Sequence, residues 1–283
     1  MNLTSLVRTY VPMPIRRAVG RARNYRSHNK ADLYREFFSQ INAGEALVHA
    51  SNLKGEFWLD IRSHLLRRIA VSKVYEPDVT AALEANADRD FIDVGANVGF
   101  FSIHLAMQQN CRNVLSIEPN PRAFSYLNRN VELNETLAKI ETVRMAVASE
   151  TAELELTAFE GREEYSSISG EIHPGVQGLK STKYTVQTAP LDVILEGRGL
   201  EPGLIKIDAE GAELQVLQGM EATLSEFKPA LIVEVGGSTF GSDVSAIEVQ
   251  LKKMNYSILS LTGNPTSIDP NIGGEILARP LGK

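Results

Sequence analysis

The sequence predicts an α/β fold, a mostly parallel sheet with helices on both faces, and two observations predict it. From residue 90 onward, short apolar runs alternate with longer stretches of helical spacing, the pattern of βαβ units around a sheet buried on both faces. Glycines and acids also cluster just after several of those runs, at the carboxyl ends of the strands, where open parallel sheets bind ligands.

The elements follow in order. Residues 31–50 carry Leu33, Phe37, Phe38, Ile41 and Leu47 at helical spacing and predict a helix. Residues 52–60 alternate around Gly55 and suggest a hairpin strand. Residues 62–70 and 77–87 read as helices, with Pro77 suited to a first turn. Strands are expected at 91–95, 113–118, 141–148, 204–208, 230–235 and 256–261. Helices are expected near 98–109, 121–134, 212–226 and 243–254. Runs 152–159 and 183–189 are extra strands around a polar loop, and 275–278 is an antiparallel edge strand. The domain reading is a basic arm over 1–30, a small helical and hairpin cap over 31–88, and a main domain over 89–283.

Charge sharpens that division. The net charge of −6 speaks against a general nucleic-acid binder. Residues 1–30 nevertheless hold seven bases and no acid, and the remainder holds 22 bases against 35 acids. A solvated arm accounts for the basic segment. An arm touching an anionic surface such as lipid head groups also accounts for it, and would hold the protein at the inner face of the membrane. No apolar run is long enough to span a membrane, and no secretory signal is recognisable. Cys111 is the single cysteine, so no internal disulfide forms and a reducing, cytoplasmic compartment is expected.

The first strand ends in Asp93-Val94-Gly95-Ala96-Asn97-Val98-Gly99, a Gly-rich turn that brings backbone N–H groups to a nucleotide. A dinucleotide fingerprint wants glycines where this chain has Asn97 and Phe100. Asp93 would repel phosphate and attract a cation. Glu118 ends the second strand, 23 residues after Gly95, near the spacing of a ribose-binding carboxylate; an ordinary helix-terminal acid is the alternative. A ligand with a ribose, a positive charge and no phosphate describes S-adenosylmethionine.

Asp208, Glu210 and Glu213 follow the fourth strand, and Gly211 sits among them. Capping explains the acids, and close approach of a ligand would explain Gly211. Three carboxylates also suit a divalent cation, but no metal is expected. Glu234 interrupts the apolar fifth strand as a base, a substrate contact, or a partner of Lys206.

These segments resemble the FkbM family of S-adenosylmethionine-dependent methyltransferases. The resemblance rests on FIDVGANVGFFS (91–102), SIEPNPRAFSYLNRNVELN (116–134), TAPLDVIL (188–195), LIKIDAEGAELQVLQGM (204–220) and KPALIVEV (228–235), with YEPDV (75–79) upstream. It implies a Rossmann-like class I methyltransferase sheet with an antiparallel last strand. It also implies O-methylation of a hydroxyl on a sugar, glycolipid or polyketide-like small molecule. By this resemblance Asp93, Gly95, Asn97 and Gly99 line the methionine end of the cofactor. Glu118 holds the ribose, Pro119 and Asn120 border the adenine, and Ala146 approaches its ring. Asp208 and Glu210 lie beside the reacting methyl, and Ser166 and Ser167 match a serine pair in the mid-domain loop. Asp208 is the first candidate for the base, with Glu234 and His173 as alternatives. The competing classes are an NAD-type oxidoreductase, opposed by Asn97 and Phe100, and a non-catalytic cofactor-binding module.

Overall fold

The computed structural model describes residues 44–159, 162, 166, 176, 178–236, 244–268 and 274–282. The basic arm, most of the helix expected over 31–50, Ser167 and His173 lie outside the described residues. β1 (Glu45–Val48) and β2 (Phe57–Asp60) pair antiparallel. The helix expected through residue 50 therefore gives way to a strand. Gly44 takes a φ of 143°, and a side chain there would press on Ile61 Cδ1. The alternating run 52–60 supplies only the second strand of the hairpin.

α1 (His64–Ser72) is capped by Ser63, which accepts from the Leu65 N–H. It buries Leu65, Leu66 and Ile69. α2 (Pro77–Asn86) starts on Pro77, as the sequence predicts. The main sheet follows with β3 (Asp90–Val94), α3 (Phe100–Ala106), β4 (Val114–Ile117), α4 (Pro121–Leu133) and β5 (Ile140–Val143). Next come β6 (Ala146–Val147), β7 (Ala152–Phe159), β8 (Ser181–Ala189), α5 (Leu191–Leu195) and β9 (Pro202–Ile207). The chain closes with α6 (Glu213–Gln218), α7 (Glu221–Phe227), β10 (Ala230–Val235), α8 (Val244–Lys253), β11 (Tyr256–Leu259) and β12 (Gly274–Pro280).

The seven-stranded sheet has the order β11-β12-β10-β9-β3-β4-β5. Its strands from β10 to β5 are parallel, and β12 runs antiparallel to both neighbours. This is the sheet order and antiparallel final strand of a class I methyltransferase. β12 is not the edge strand that residues 275–278 suggest; it is inserted between β10 and β11. The run 141–148 also divides. β5 joins the main sheet, and β6 pairs with β8 in a separate three-stranded sheet. The helix expected over 212–226 breaks at Gly219, where a Cβ would lie 2.1 Å from the Ala148 carbonyl oxygen.

The pleat sorts the core into two layers. Phe91, Leu204, Ile232 and Leu277 face the hairpin and helices α1–α4. Ile92, Val94, Ile205, Ile207 and Val233 face α5–α8. Strands covered on both sides bury every residue, as β3, β4 and β9 do, which explains their largely apolar runs, broken only by Asp90, Asp93, Ser116 and Lys206. The chain turns from β3 outward to β4 and β5, then returns to β9 on the other side. That reversal leaves a crevice between the β3 and β9 ends.

The hairpin is bound to α4 by two asparagines. Asn130 Oδ1 accepts the Trp58 N–H at 2.7 Å, and Asn134 Oδ1 accepts the Glu56 N–H at 2.9 Å. Asn134 Nδ2 returns a bond to the Glu56 carbonyl at 2.8 Å. Four helical residues rise about 6 Å, close to the roughly 6.8 Å of two strand residues, so amides at 130 and 134 match backbone groups at 56 and 58. Asp60, almost fully buried, holds the next corner by accepting from Arg62 and Arg122.

Candidate active site

A cleft of about 210 Å³ opens at the β3/β9 reversal. Of the residues singled out in the sequence, Gly95, Asn97, Glu118, Pro119, Ala146, Asp208, Glu210 and Glu234 line it, and Ser166 joins them. Asp93, Gly99 and Asn120 stand behind its wall. Asp93 is buried beneath the turn, where its Oδ2 accepts from Ser102 at 2.6 Å. Gly99 begins α3, and a Cβ there would strike Leu127 Cδ1 at 2.7 Å, so it serves helix packing. Asn120 caps α4 and donates to Ser166 Oγ at 2.7 Å.

Two glycines read as ligand contacts have local explanations. A Cβ on Gly95 would lie 1.8 Å from the Asp208 carbonyl oxygen. The close neighbour is the end of β9, whose Asp208 N–H donates to the Val94 carbonyl at 3.0 Å. Gly211 takes a φ of 98°, a left-handed turn that favours glycine without any ligand. Its N–H, with that of Ala209, donates to Glu213 Oε1, and α6 starts from Ala212, so Asp208 is not the helix cap.

Glu118 is fixed through both oxygens. Oε2 accepts the Asn97 N–H and Oε1 the Asn120 N–H, each at 2.8 Å. Burial pushes its carboxyl up to about 7, against these two donors, which favour the charged form. Each carboxylate oxygen keeps a lone pair for a further donor. Asn97 stands in the left-handed region at φ 50°, and its buried side-chain oxygen has no hydrogen-bond partner, so it can accept a donor from a ligand.

The opposite wall is a cluster of charges. Register pairs Ile232 with Lys206 and Val233 with Ile207, which sets Glu234 beside Asp208 at the strand ends. The two carboxyls share a hydrogen bond. Lys206 Nζ lies 2.8 Å from Asp208 Oδ2, so lysine pairs with Asp208 rather than with Glu234. Burial raises the Asp208 carboxyl, but Lys206 and the bond from Glu234 outweigh it and hold the group below its ordinary value. Glu234 is pushed well up, first by the neighbouring Asp208 charge and then by burial. The pair thus favours sharing a proton, with Glu234 the member pushed toward holding it.

The cap completes the cleft with residues that strand-end spacing does not reveal. Tyr75 lies against Phe100 and Phe101, with ring centroids 4.6 and 5.7 Å apart. Arg68 stands over the Tyr75 ring and bonds Glu76 at 2.8 Å. His64 and Met145 also line the space. The segment 75–79, noted for its family resemblance, was the available signal for Tyr75 and Glu76. Among the described residues, no group of three or more His, Cys, Asp or Glu side chains is placed to hold a metal ion, and no helix is long and apolar enough to cross a membrane.

The chain is 28% identical over 167 residues to methyltransferase sdnD of Sordaria araneosa, covering 50% of this chain and 64% of that one. It is also 28% identical over 180 residues to the hexuronic acid methyltransferase AglP of Haloferax volcanii, covering 62% and 69%. It thus spans just under two thirds of the length of the first relative. A crystal structure of methyltransferase FkbM from Methylobacillus flagellatus aligns with a TM-score of 0.45 at 19% identity, over 68% of this chain and 44% of that one. The Methyltransferase FkbM domain matches residues 93–258. That span runs from the end of β3 through most of β11 and holds every strand-end acid of the cleft, and the chain belongs to the FkbM methyltransferase family.

Proposed function

We propose that the protein transfers a methyl group from S-adenosylmethionine to a hydroxyl of a sugar, glycolipid or polyketide-like small molecule. The observation that carries this reading is the Asp208–Glu234 carboxyl pair, facing Glu118 across one cleft. The chain's residues fit the cofactor. Glu118 has free lone pairs for two ribose hydroxyls, and Asn97 Oδ1 is a buried acceptor in need of a donor. Pro119, Met145 and Ala146 supply the flat apolar border that an adenine requires. A pyrophosphate would meet Glu118, Asp208, Glu210 and Glu234, which disfavours a dinucleotide. When bound, the cofactor supplies an electrophilic methyl group on a positively charged sulfur.

The protein's own part is orientation and proton removal. Glu118, fixed by two backbone N–H groups, sets the position of the ribose. Tyr75, Phe100 and Phe101 close the cap side and limit water. Asp208 accepts the proton of the acceptor hydroxyl. That oxygen becomes strongly acidic as it gains a third bond, so a carboxylate held below its ordinary pKa still suffices. Alignment of hydroxyl and methyl supplies much of the remaining acceleration. The sugar class is supported by AglP, which acts on a hexuronic acid.

Titration calorimetry with S-adenosylmethionine and NAD, followed by mass spectrometry of a glycan panel containing uronic acids, tests the reading. Binding of S-adenosylmethionine and a gain of one methyl group on an acceptor hydroxyl are expected. Asp208→Asn should lower kcat by about 10²–10⁴-fold with a smaller change in cofactor affinity. Binding of NAD alone refutes the reading, and undiminished transfer by Asp208→Asn refutes Asp208 as the base.

A further inference from the structure

Lys206 is a lysine in a buried strand. It is 4% exposed, between Ile205 and Ile207 on β9. Taking an ammonium out of water costs several kcal/mol, and an apolar residue of similar size commonly serves stability as well or better. Its place is therefore better explained by its charge. That charge lies 2.8 Å from Asp208 Oδ2 and 5.3 Å from the centroid of the Phe101 ring.

The groups around it are mostly acidic. Asp93 pairs with it in register from β3. Asp208 and Glu210 follow it in its own chain. Glu234 faces it from β10, and Glu275, opposite Glu234, from β12. Tyr75, Glu76 and Arg68 face the cluster from the cap. Arg68 is engaged with Glu76, His64 lines the same cleft, and Lys206 forms the ion pair with Asp208.

We propose that Lys206 is a positioning residue that holds Asp208 in its charged form beside a neutral Glu234, so that the acceptor hydroxyl meets one carboxylate ready to take its proton. The inference rests on the methyl-transfer reading given above. The electrostatics agree in direction. Burial disfavours the Lys206 ammonium, but Asp208, Asp93 and Glu76 together raise its pKa. Without the lysine, the pair would retain a second proton to higher pH.

The test is the pH–rate profile of methyl transfer by the full chain, comparing wild type with Lys206→Met and Lys206→Arg. An opposite charge at this distance moves a carboxyl by about one to three units. The acid limb of Lys206→Met should therefore move up by that amount, with the loss concentrated at low pH and expressed in kcat. Lys206→Arg keeps the charge and should return the limb toward wild type. An unmoved limb in Lys206→Met, or an equal loss at every pH in both variants, overturns the proposal. Infrared difference spectra of wild type against Glu234→Gln provide a second reading that does not require Lys206→Met to fold. A protonated-carboxyl C=O band at neutral pH, lost in Glu234→Gln, is expected, and its absence overturns the proposal. Absence of methyl transfer from S-adenosylmethionine to every acceptor tried with the wild-type chain would instead remove the methyl-transfer reading itself, which separates the two failures.

Discussion

Gly95→Ala tests the geometry that brings the two sides of the cleft together. The added Cβ would lie 1.8 Å from the Asp208 carbonyl oxygen and 2.9 Å from its carbon. Carbon and oxygen normally approach no closer than about 3.3 Å, so the strand ends must separate by roughly 1.5 Å. Both clashing groups are backbone, and no rotamer relieves them. A side chain at a φ of 79° costs about 1–2 kcal/mol, and forced overpacking adds about 1–3 kcal/mol. The sum, about 2–5 kcal/mol, falls within the stability of an ordinary domain, so the variant should fold. Displacement of Asp208 by more than 1 Å should also cost about 10²-fold in kcat. Urea denaturation and turnover at saturating cofactor measure the two effects. Gly197→Ala is the control. Gly197 has a similar φ of 72° and no neighbouring atom within 4 Å, so it carries the strain without the clash. Equal destabilisation of the two variants, with turnover retained in Gly95→Ala, would refute the reasoning.

Two further outcomes are expected. Glu118→Gln turns an amide N–H toward a backbone N–H and loses a charged acceptor, a deficit of about 1.5–3 kcal/mol, so calorimetry should find cofactor affinity about 10–100-fold weaker. The wild-type carboxyl is raised from 4.5 to about 7. Its proton therefore stabilises the free protein most below pH 4.5, and that contribution declines as pH rises through about 7. Ribose hydroxyls need the ionised form, so affinity should strengthen over the same interval, and Glu118→Gln should lose that dependence; identical pH profiles would contradict the assignment. Asp60 is displaced the other way. Burial raises it, but hydrogen bonds and charge from Arg62, with charge from Arg122, leave it below 3.8. Its stabilisation is present above that value and is lost as pH falls through the lower folded pKa. Asp60→Asn should cost about 2–4 kcal/mol after allowance for the partly exposed arginines, and should flatten the acid limb of stability; an unchanged acid-unfolding midpoint would count against it.

The parallel sheet is legible because strands buried on both faces leave short, mostly apolar runs, as in residues 91–94 and 204–207, each interrupted by a single charge, Asp93 and Lys206. Position within a sheet has no such local trace. β12 belongs in the interior only because β10 and β11 both pair with it. The helix read through residue 50 overran Gly44, whose left-handed φ ends any helical continuation. The acids of the cleft are legible for a related reason, since an acid closing an apolar strand has little structural excuse. Tyr75 and Arg68 reach the same space from a segment preceding β3, and tertiary packing rather than spacing puts them there. Asn130 within α4 and Asn134 at its C-terminal cap are both poor helix formers, and their task is clear only with β2 alongside them.

That asparagine clasp also sets an order of assembly. Trp58 is 72 residues upstream of Asn130, and Glu56 is 78 upstream of Asn134. On the ribosome the hairpin emerges well before the helix that completes its open edge. At roughly 5–20 residues per second, the wait is about 4–15 s. Through that interval β2 has unpaired backbone groups, the condition that invites pairing with another chain. The hairpin is thus made well before the helix that secures it, and its outer edge stays open until α4 has left the exit tunnel.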